Sequence, residues 1–505
     1  MTLATSFTAA VPAADELLER LRAHPGGEEL LAHAPAGAHL VGGAVRDLLV
    51  ETGMRAVGAC LPASIEMGML AVGECLPASI ETGMLAETGI RAGGDCLPAS
   101  VGGDCLPTSV GRAPRELDVT VASGDTPFGA AATQLATALA ACLGASATVS
   151  VHERFGTAVV AWDGGKIDIA TARRERYPAP GALPAVEGGS LEEDLQRRDF
   201  TVNAIAIALS GERAGELCAV PHALEDLRAG LLRVLHEQSF RDDPTRLLRL
   251  ARYRARLGFA IEEHTARLAQ EAIAAGAPRT VSGARIGAEL RLALGERDAI
   301  AALTALEELG VLAALHPKLG FDAKLAGNAL RLLAGAAEGG AEQAVRADLL
   351  LLAIVLQPLA EEPSHSIDEI EEQIATLLHT LEFPASEAER ALHAALCAVA
   401  LEEELAHTET GSEIYELASC DSLEVVALAG AVGEQRLSDA GVSAYRWLTE
   451  LHRVRLRITG DDLLAAGVPE GPQIGRRLRE TLLMRLDDEL PDEREPQLRA
   501  ALAVR

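Results

Sequence analysis

The sequence predicts an α+β protein whose strands gather toward the N-terminus and whose remainder is helical. Two patterns and the composition carry this expectation. Every run that reads as a strand, with aliphatic residues at period two or in a short buried stretch, lies before residue 210. Beyond residue 260, apolar residues recur at helical spacing with Pro and Gly at the joints. The chain is 49% hydrophobic but only 3% aromatic, so its cores are Ala, Leu and Val, a composition that favours helices. At 505 residues there is room for about two to four such cores.

Taken in order, residues 15 to 24 form an amphipathic helix with Leu17, Leu18 and Leu21 on one face. Residues His39 to Leu49 (HLVGGAVRDLL) read as a strand, a Gly42-Gly43 turn and a short helix carrying Arg46. Such a turn lets backbone approach an anion closely, and the helix N-terminus behind it favours phosphate. Residues 51 to 110 then interrupt the chain with near-identical fifteen-residue units, each built on Cys-Leu-Pro. This tandem repeat is expected to be a disordered surface loop, dispensable for folding and activity. The chain resumes with a strand over 116 to 121, where Glu116 and Asp118 share a face. Side-by-side carboxylates repel unless a cation lies between them, and hard divalent ions prefer oxygen ligands.

A helix is predicted over 128 to 144 and strands over 149 to 151, 155 to 162 and 166 to 170. Asp168, on the last of these, is a candidate third metal-binding carboxylate. A Pro/Gly-rich loop covers 178 to 189. Then Arg197-Arg198-Asp199 abuts the apolar run Ile205 to Leu209, and charges at a core boundary are costly unless partnered. Over 239 to 259, Asp243, Arg246, Arg249, Arg252 and Arg256 fall at helical spacing and form one stripe. Helices follow over 283 to 294 with Ser282 as cap, then 299 to 315, 325 to 357, 366 to 381 and 385 to 405.

The formal net charge of −29 argues against a generic nucleic-acid binder, so any RNA must meet a local basic surface. With only three lysines, that surface must be arginine. The N-terminus lacks a basic region followed by an apolar core, and the longest apolar run, Leu349 to Leu356, is too short to span a bilayer. Eight cysteines without a Cys-x-x-Cys pair give no zinc or disulfide framework. A reduced, cytoplasmic protein with no membrane association is expected, its oligomeric state left open.

Three segments together carry a resemblance. Gly-Gly-x-Val-Arg-Asp at 42 to 47 with its carboxylate-x-carboxylate strand, Arg-Arg-Asp-Phe-Thr-x-Asn-Ala at 197 to 204, and Asp-x-x-Arg at 243 to 246 resemble the class II tRNA nucleotidyltransferases and bacterial poly(A) polymerases of the DNA polymerase beta superfamily. The resemblance implies a mixed-sheet nucleotidyltransferase head over 1–210, a helical neck for nucleotide recognition over 211–320, and a helical body and tail for tRNA over 321–505. It implies Mg²⁺ as cofactor, held by Glu116 and Asp118 as catalytic carboxylates with Asp168 as a third. Gly42, Gly43, Arg46, Arg198, Arg249 and Arg252 would cradle the triphosphate, and Asp199 and Asn203 would contact sugar or order the site. Asp243 and Arg246 would read the base, and Arg476, Arg477 and Arg479 would contact tRNA phosphates. The expected reaction adds C and/or A to a tRNA 3′ end from CTP and ATP. CC-adding, A-adding and poly(A)-polymerase activities share every motif used here.

Base reading has a physical rationale. Cytosine and adenine both offer an amino donor beside a ring-nitrogen acceptor. An aspartate and an arginine fit both, whereas guanine and uracil reverse the pattern and leave each protein group unpaired, at roughly 1–3 kcal/mol per group. Two departures from the family pattern stand out. Glu116 occupies a position where the family usually has Asp, and Cys218 to Leu227 lacks the family's Asp-Pro-x-Gly-Gly turn. With the repeat, the first departure gives a rival reading, a catalytically inactive RNA-binding paralogue.

Overall fold

In the computed structural model, which describes residues 11–54, 116–122, 126–336, 345–361 and 366–504, the head is organised around the strand Glu116–Val121. The repeat over 51 to 110 lies outside the described residues except for its first four. Seven strands make the sheet: β1 (Ala38–Val41), β2 (Glu116–Val121), β3 (Thr148–His152), β4 (Thr157–Trp162), β5 (Gly165–Thr171), β8 (Ile205–Ala208) and β9 (Leu217–Ala219). Between β5 and β8, β6 (Arg173–Arg176) and β7 (Ala185–Gly188) form a separate antiparallel hairpin. The sheet order is β3-β4-β5-β2-β1-β8-β9. β2 runs parallel to β5 and antiparallel to β1, which makes the sheet mixed, as the resemblance implied. Its last strand, β9, pairs with β8, so the sheet runs past residue 210.

Alternation along β2 sorts its side chains between the two faces. Leu117, Val119 and Val121 are buried in the head core with Ile167 and Ile169 of β5. Helices α1 (Ala14–Arg22), α2 (Gly27–His33), α3 (Gly43–Glu51) and α4 (Ala130–Leu143) complete that side, contributing Leu17, Leu21, Val45, Leu48, Leu135 and Leu139 to the same core. The other face of β2 carries Glu116, Asp118 and Thr120. Burying one aliphatic side chain is worth about 1.5–3 kcal/mol, so a one-residue slip of β2 would put its carboxylates in the core.

Short helices link head and neck: α5 (Leu191–Gln196), α6 (Ala223–Ala229) and α7 (Ser239–Asp242), then α8 (Thr245–Leu257). A two-stranded parallel pair, β10 (Leu231–Leu232) with β11 (Ala260–Ile261), flanks α8. The neck continues through α9 (Glu263–Ala274), α10 (Gly283–Leu294), α11 (Ala299–Glu308) and α12 (Val311–Leu315). Next come α13 (Ala323–Ala336), α14 (Ala347–Ala360), α15 (Ile367–Thr380), α16 (Ala385–Leu405), α17 (Gly411–Ala418), α18 (Leu423–Arg436) and α19 (Ala440–Thr449). The chain closes with α20 (Gly460–Ala465), α21 (Pro472–Leu486) and α22 (Arg494–Ala503). Leu349 to Leu356 of α14 is buried on every side, so this apolar run is the middle of a core. No helix among the described residues is long and apolar enough to cross a membrane.

Several boundaries differ from the sequence reading. The strand expected from 155 begins at Thr157, because Glu153–Phe155 form a 3₁₀ turn closed by Gly156 at φ 61°. The loop expected over 178 to 189 contains β7. The helix expected over 299 to 315 breaks at Gly310 (φ 76°), and that over 325 to 357 is two helices. Ser282 occupies the N-cap position of α10 without a side-chain capping bond.

Candidate active site

A cavity of about 350 Å³ opens where β1, β2, the segment after α5, α8 and α10 converge. Its floor is the Gly42-Gly43 turn. Gly42 sits at φ 75°, and a Cβ there would come within 2.8 Å of an Arg198 guanidinium nitrogen. Only glycine combines that backbone with that closeness. Behind the turn, α3 starts at Gly43 and points its N-terminus at the cavity.

Asp118 stands beside the turn, and Asp168 is its direct partner across the parallel β2–β5 pair. Burial and the neighbouring Asp168 and Glu116 charges push the Asp118 carboxyl up to about 6, against the lowering pull of Arg198 and Lys166. A divalent cation would relieve that repulsion, and the donors are all hard oxygens, so these residues fit a magnesium-class ion. Lys166 holds Asp168 at 2.7 Å, and Glu116 is exposed at the start of β2. Among the described residues no group of three acidic, His or Cys side chains closes into a metal-binding cluster. The expected trio is thus brought to one face of the two central strands without forming a closed cage.

Each residue of the charged run at 197 to 199 has a counter-charge. Asp194, fully buried on α5, accepts from Arg197 Nε (3.0 Å) and Nη2 (2.8 Å), from Arg198 Nη2 (3.2 Å) and from Thr120 Oγ1 (3.4 Å). Burial opposes its ionisation, but the two guanidiniums outweigh this and hold its carboxyl below the ordinary aspartate value. A capping box between Ser190 and Glu193 fixes the start of α5 and hence Asp194. Arg197 also reaches Glu175 of β6 at 2.9 Å.

Asp199 is buried and shared out among protein donors. Its Oδ1 accepts from the Phe200 amide (2.8 Å) and Asn203 Nδ2 (3.0 Å), and its Oδ2 takes Arg249 Nε (2.9 Å) and Nη2 (2.7 Å). Burial raises its carboxyl, yet Arg249 and these hydrogen bonds bring the balance below the usual value. Asn203 Oδ1 in turn accepts from Arg46 Nη1 at 2.7 Å, and Tyr253 lies within cation–π distance of both Arg46 and Arg249. Of the two roles expected for Asp199 and Asn203, this geometry favours ordering the site.

Asp243 and Arg246 line the same cavity. Arg246 is buried, giving Nη1 to Ser239 Oγ (2.6 Å) and Nη2 to the Arg197 carbonyl (2.7 Å). The rest of the stripe departs from expectation. Arg252 does not line the cavity: it is paired to Glu289 of α10 at 2.5 Å and to Glu296 at 3.1 Å, and Arg256 joins Glu296 at 2.7 Å. Arg252 therefore braces α8 against α10, because the nearest strong counter-charges lie there. In the tail, Arg477 donates to the Ala501 and Leu502 carbonyls at the end of α22, Arg479 is paired with Glu416, and Arg476 is exposed. Of the three, Arg477 and Arg479 are thus engaged within the fold.

Seven further cavity residues were given no role from the sequence: Arg173, Glu175, Tyr177, Pro184, Arg197, Tyr253 and Arg285. Arg197 was signalled only by its place beside Arg198. Six arginines against four carboxylates line the cavity, so it is basic within a strongly acidic chain. A second cavity of about 440 Å³ shares Asp118, Arg197 and Arg198 with the first and extends over Asp168 and β4. Asp118 thus stands where the two cavities meet, with Asp168 lining the second.

The turn lacking its glycines has a local solution. His222 adopts φ 67° immediately before α6. Asp226 of that helix, buried, accepts from Thr201 Oγ1 (2.7 Å) and Arg233 Nε (2.9 Å), stitching the 197 to 204 segment to the neck.

Residues 100–233 match the poly A polymerase head domain model. Over 364 residues, 70% of this chain and 40% of the relative, the chain is 34% identical to an A-adding tRNA nucleotidyltransferase of Geobacter sulfurreducens. A CC-adding tRNA nucleotidyltransferase of Deinococcus radiodurans is 39% identical over 168 residues, 33% of this chain and 42% of that one. The matched stretches thus span about two-fifths of these relatives' lengths. The fold is similar to that of the Thermotoga maritima CCA-adding enzyme complexed with tRNA, with a TM-score of 0.64 over 97% of this chain and 98% of that one, at 24% identity. Sheet, turn and carboxylate strand define a nucleotidyltransferase head. The chain carries a poly A polymerase head domain over residues 100–233 and is similar to class II tRNA nucleotidyltransferases.

Proposed function

We propose that this protein adds C and/or A to the 3′ end of tRNA, taking CTP and ATP as substrates. The observation that carries the reading is Asp118 in the wall of an arginine-lined, glycine-floored cavity, in register with Asp168 on the neighbouring strand. The names of the relatives, A-adding and CC-adding tRNA nucleotidyltransferases, support this substrate class.

In this reading the 3′-hydroxyl oxygen attacks the α-phosphorus, a P–O bond forms, and pyrophosphate leaves with the broken P–O pair. Mg²⁺ held by Asp118 and Asp168, with Glu116 at the edge, would supply charge neutralisation and a more acidic hydroxyl. Arg198 meets the triphosphate across Gly42, its guanidinium held in place by Asp194. The α3 N-terminus offers unpaired amides to the same phosphates. Arg249, fixed by Asp199, adds positive charge from the opposite wall. Asp243 accepts from the exocyclic amino group of cytosine or adenine, and Arg246 donates to the ring nitrogen. Guanine and uracil leave both unpaired. The basic Arg476 and its neighbours on α21 are where tRNA phosphates would lie. The test is extension of tRNA lacking its 3′ end with each labelled triphosphate in turn.

A further inference from the structure

We infer that Arg285, which belongs to none of the motifs above, is a positioning residue that sets base discrimination by deciding which oxygen of Asp243 faces a nucleotide. The inference rests on the base-reading role proposed for Asp243. Asp243 ends α7 in an extended conformation (φ −134°, ψ 91°), as the following Pro244 requires. Its Oδ1 accepts from the Thr245 amide (3.1 Å), from Thr245 Oγ1 (2.6 Å) and from Arg285 Nη2 (2.8 Å). A carboxylate oxygen has two lone-pair directions, so three donors saturate it. Oδ2 is the oxygen left for an amino group in the cavity.

The position of Arg285 is itself over-determined. A Cβ on Gly283 would lie 1.9 Å from the Thr380 carbonyl oxygen, and one on Gly287 would lie 1.8 Å from that of Leu381. Those two glycines, four apart, form one face of α10 pressed onto the end of α15. Arg285 lies two residues from each, about 200° around the helix, and so projects to the opposite side, into the cavity. Its other guanidinium nitrogen, Nη1, donates at 3.2 Å to the Gly181 carbonyl in the turn between β6 and β7. The Gly181 amide donates to the carbonyl of Arg241 at 3.1 Å, just ahead of Asp243. One guanidinium thus joins α10, the hairpin turn and the base-reading carboxylate.

Without Arg285, the Asp243 carboxylate keeps only its local Thr245 contacts and turns more freely about its terminal torsion. Cytosine and adenine, which use the carboxylate, then lose affinity; guanine and uracil, which do not, keep theirs. A merely structural role would weaken all four alike. The experiment measures dissociation constants of CTP, ATP, GTP and UTP for the full-length protein and for Arg285→Met and Arg285→Lys, with melting temperature as the control for folding. We expect the preference for CTP and ATP to fall roughly tenfold in Arg285→Met, about one net hydrogen bond, with partial recovery in Arg285→Lys. If Arg285→Met does not fold, a fall of roughly threefold in Arg285→Lys, whose single donor group replaces a fork, carries the proposal. An unchanged preference in a folded variant, an equal loss for all four nucleotides, or a wild type that binds all four alike overturns it. Because binding is measured, a wild type that fails to extend tRNA counts against the proposed reaction and leaves this result standing.

Discussion

Asp194 shows how a single residue governs the cavity. Fully buried, it is the counter-charge for two guanidiniums whose donors would otherwise be stranded at the core boundary. Changing it to Asn should cost about 3 kcal/mol of stability, since breaking a buried pair strands charge, and should weaken triphosphate binding through Arg198. Chemical denaturation and nucleotide dissociation constants check both parts. Asp118→Ala acts differently: incorporation should be abolished while triphosphate binding persists, because the arginines remain. Wild-type turnover in that variant would remove Asp118 from the mechanism. His222, held left-handed in the turn that lacks the family's glycines, gives a prediction of opposite sign. His222→Gly should stabilise the protein by about 1 kcal/mol, read as a rise in melting temperature. The sequence showed that glycines were missing from this turn; it could not show that His222 would take the left-handed position.

Among elements, α10 connects the body to the cavity through two glycines. Gly287→Ala puts a methyl into the Leu381 carbonyl, and the helix has to move. Overpacking of this kind costs about 1–3 kcal/mol. The displacement should also lower the preference for CTP and ATP, although residue 287 does not line the cavity. What spacing could and could not reveal divides along the same line. Periodicity located β2, β5, α8 and α10, and alternation placed Glu116 and Asp118 on one face. The stripe from Arg246 to Arg256 was also visible, but its division was not. Arg246 and Arg249 turn into the cavity, whereas Arg252 and Arg256 are taken by Glu289 and Glu296, some forty residues on. Helical spacing reports which side chains share a face and is silent about the counter-charges another helix brings. Arg285 was hidden for the same reason, as an ordinary arginine on an ordinary amphipathic helix until Asp243 is seen beside it.

For the whole molecule, charge is the informative quantity. A chain of net charge −29 repels polyanions at long range, yet the cavity lined by Arg198, Arg246, Arg249 and Arg285 is locally basic. Binding of tRNA should therefore strengthen from 10 mM to about 100 mM salt as long-range repulsion is screened, and weaken at higher salt as the phosphate contacts are lost. A monotonic fall from the lowest salt would mean that the acidic surface plays no part. In the proposed function the cavity accepts bases with an amino donor beside a ring acceptor and joins them to tRNA beside the Asp118–Asp168 pair. The most direct test of this function is incorporation into tRNA lacking its 3′ end, with each of the four labelled triphosphates supplied alone and then CTP and ATP together. Label from CTP, from ATP or from both in sequence, and none from GTP or UTP, is the predicted result; no incorporation from any triphosphate, or equal incorporation from all four, would contradict the account.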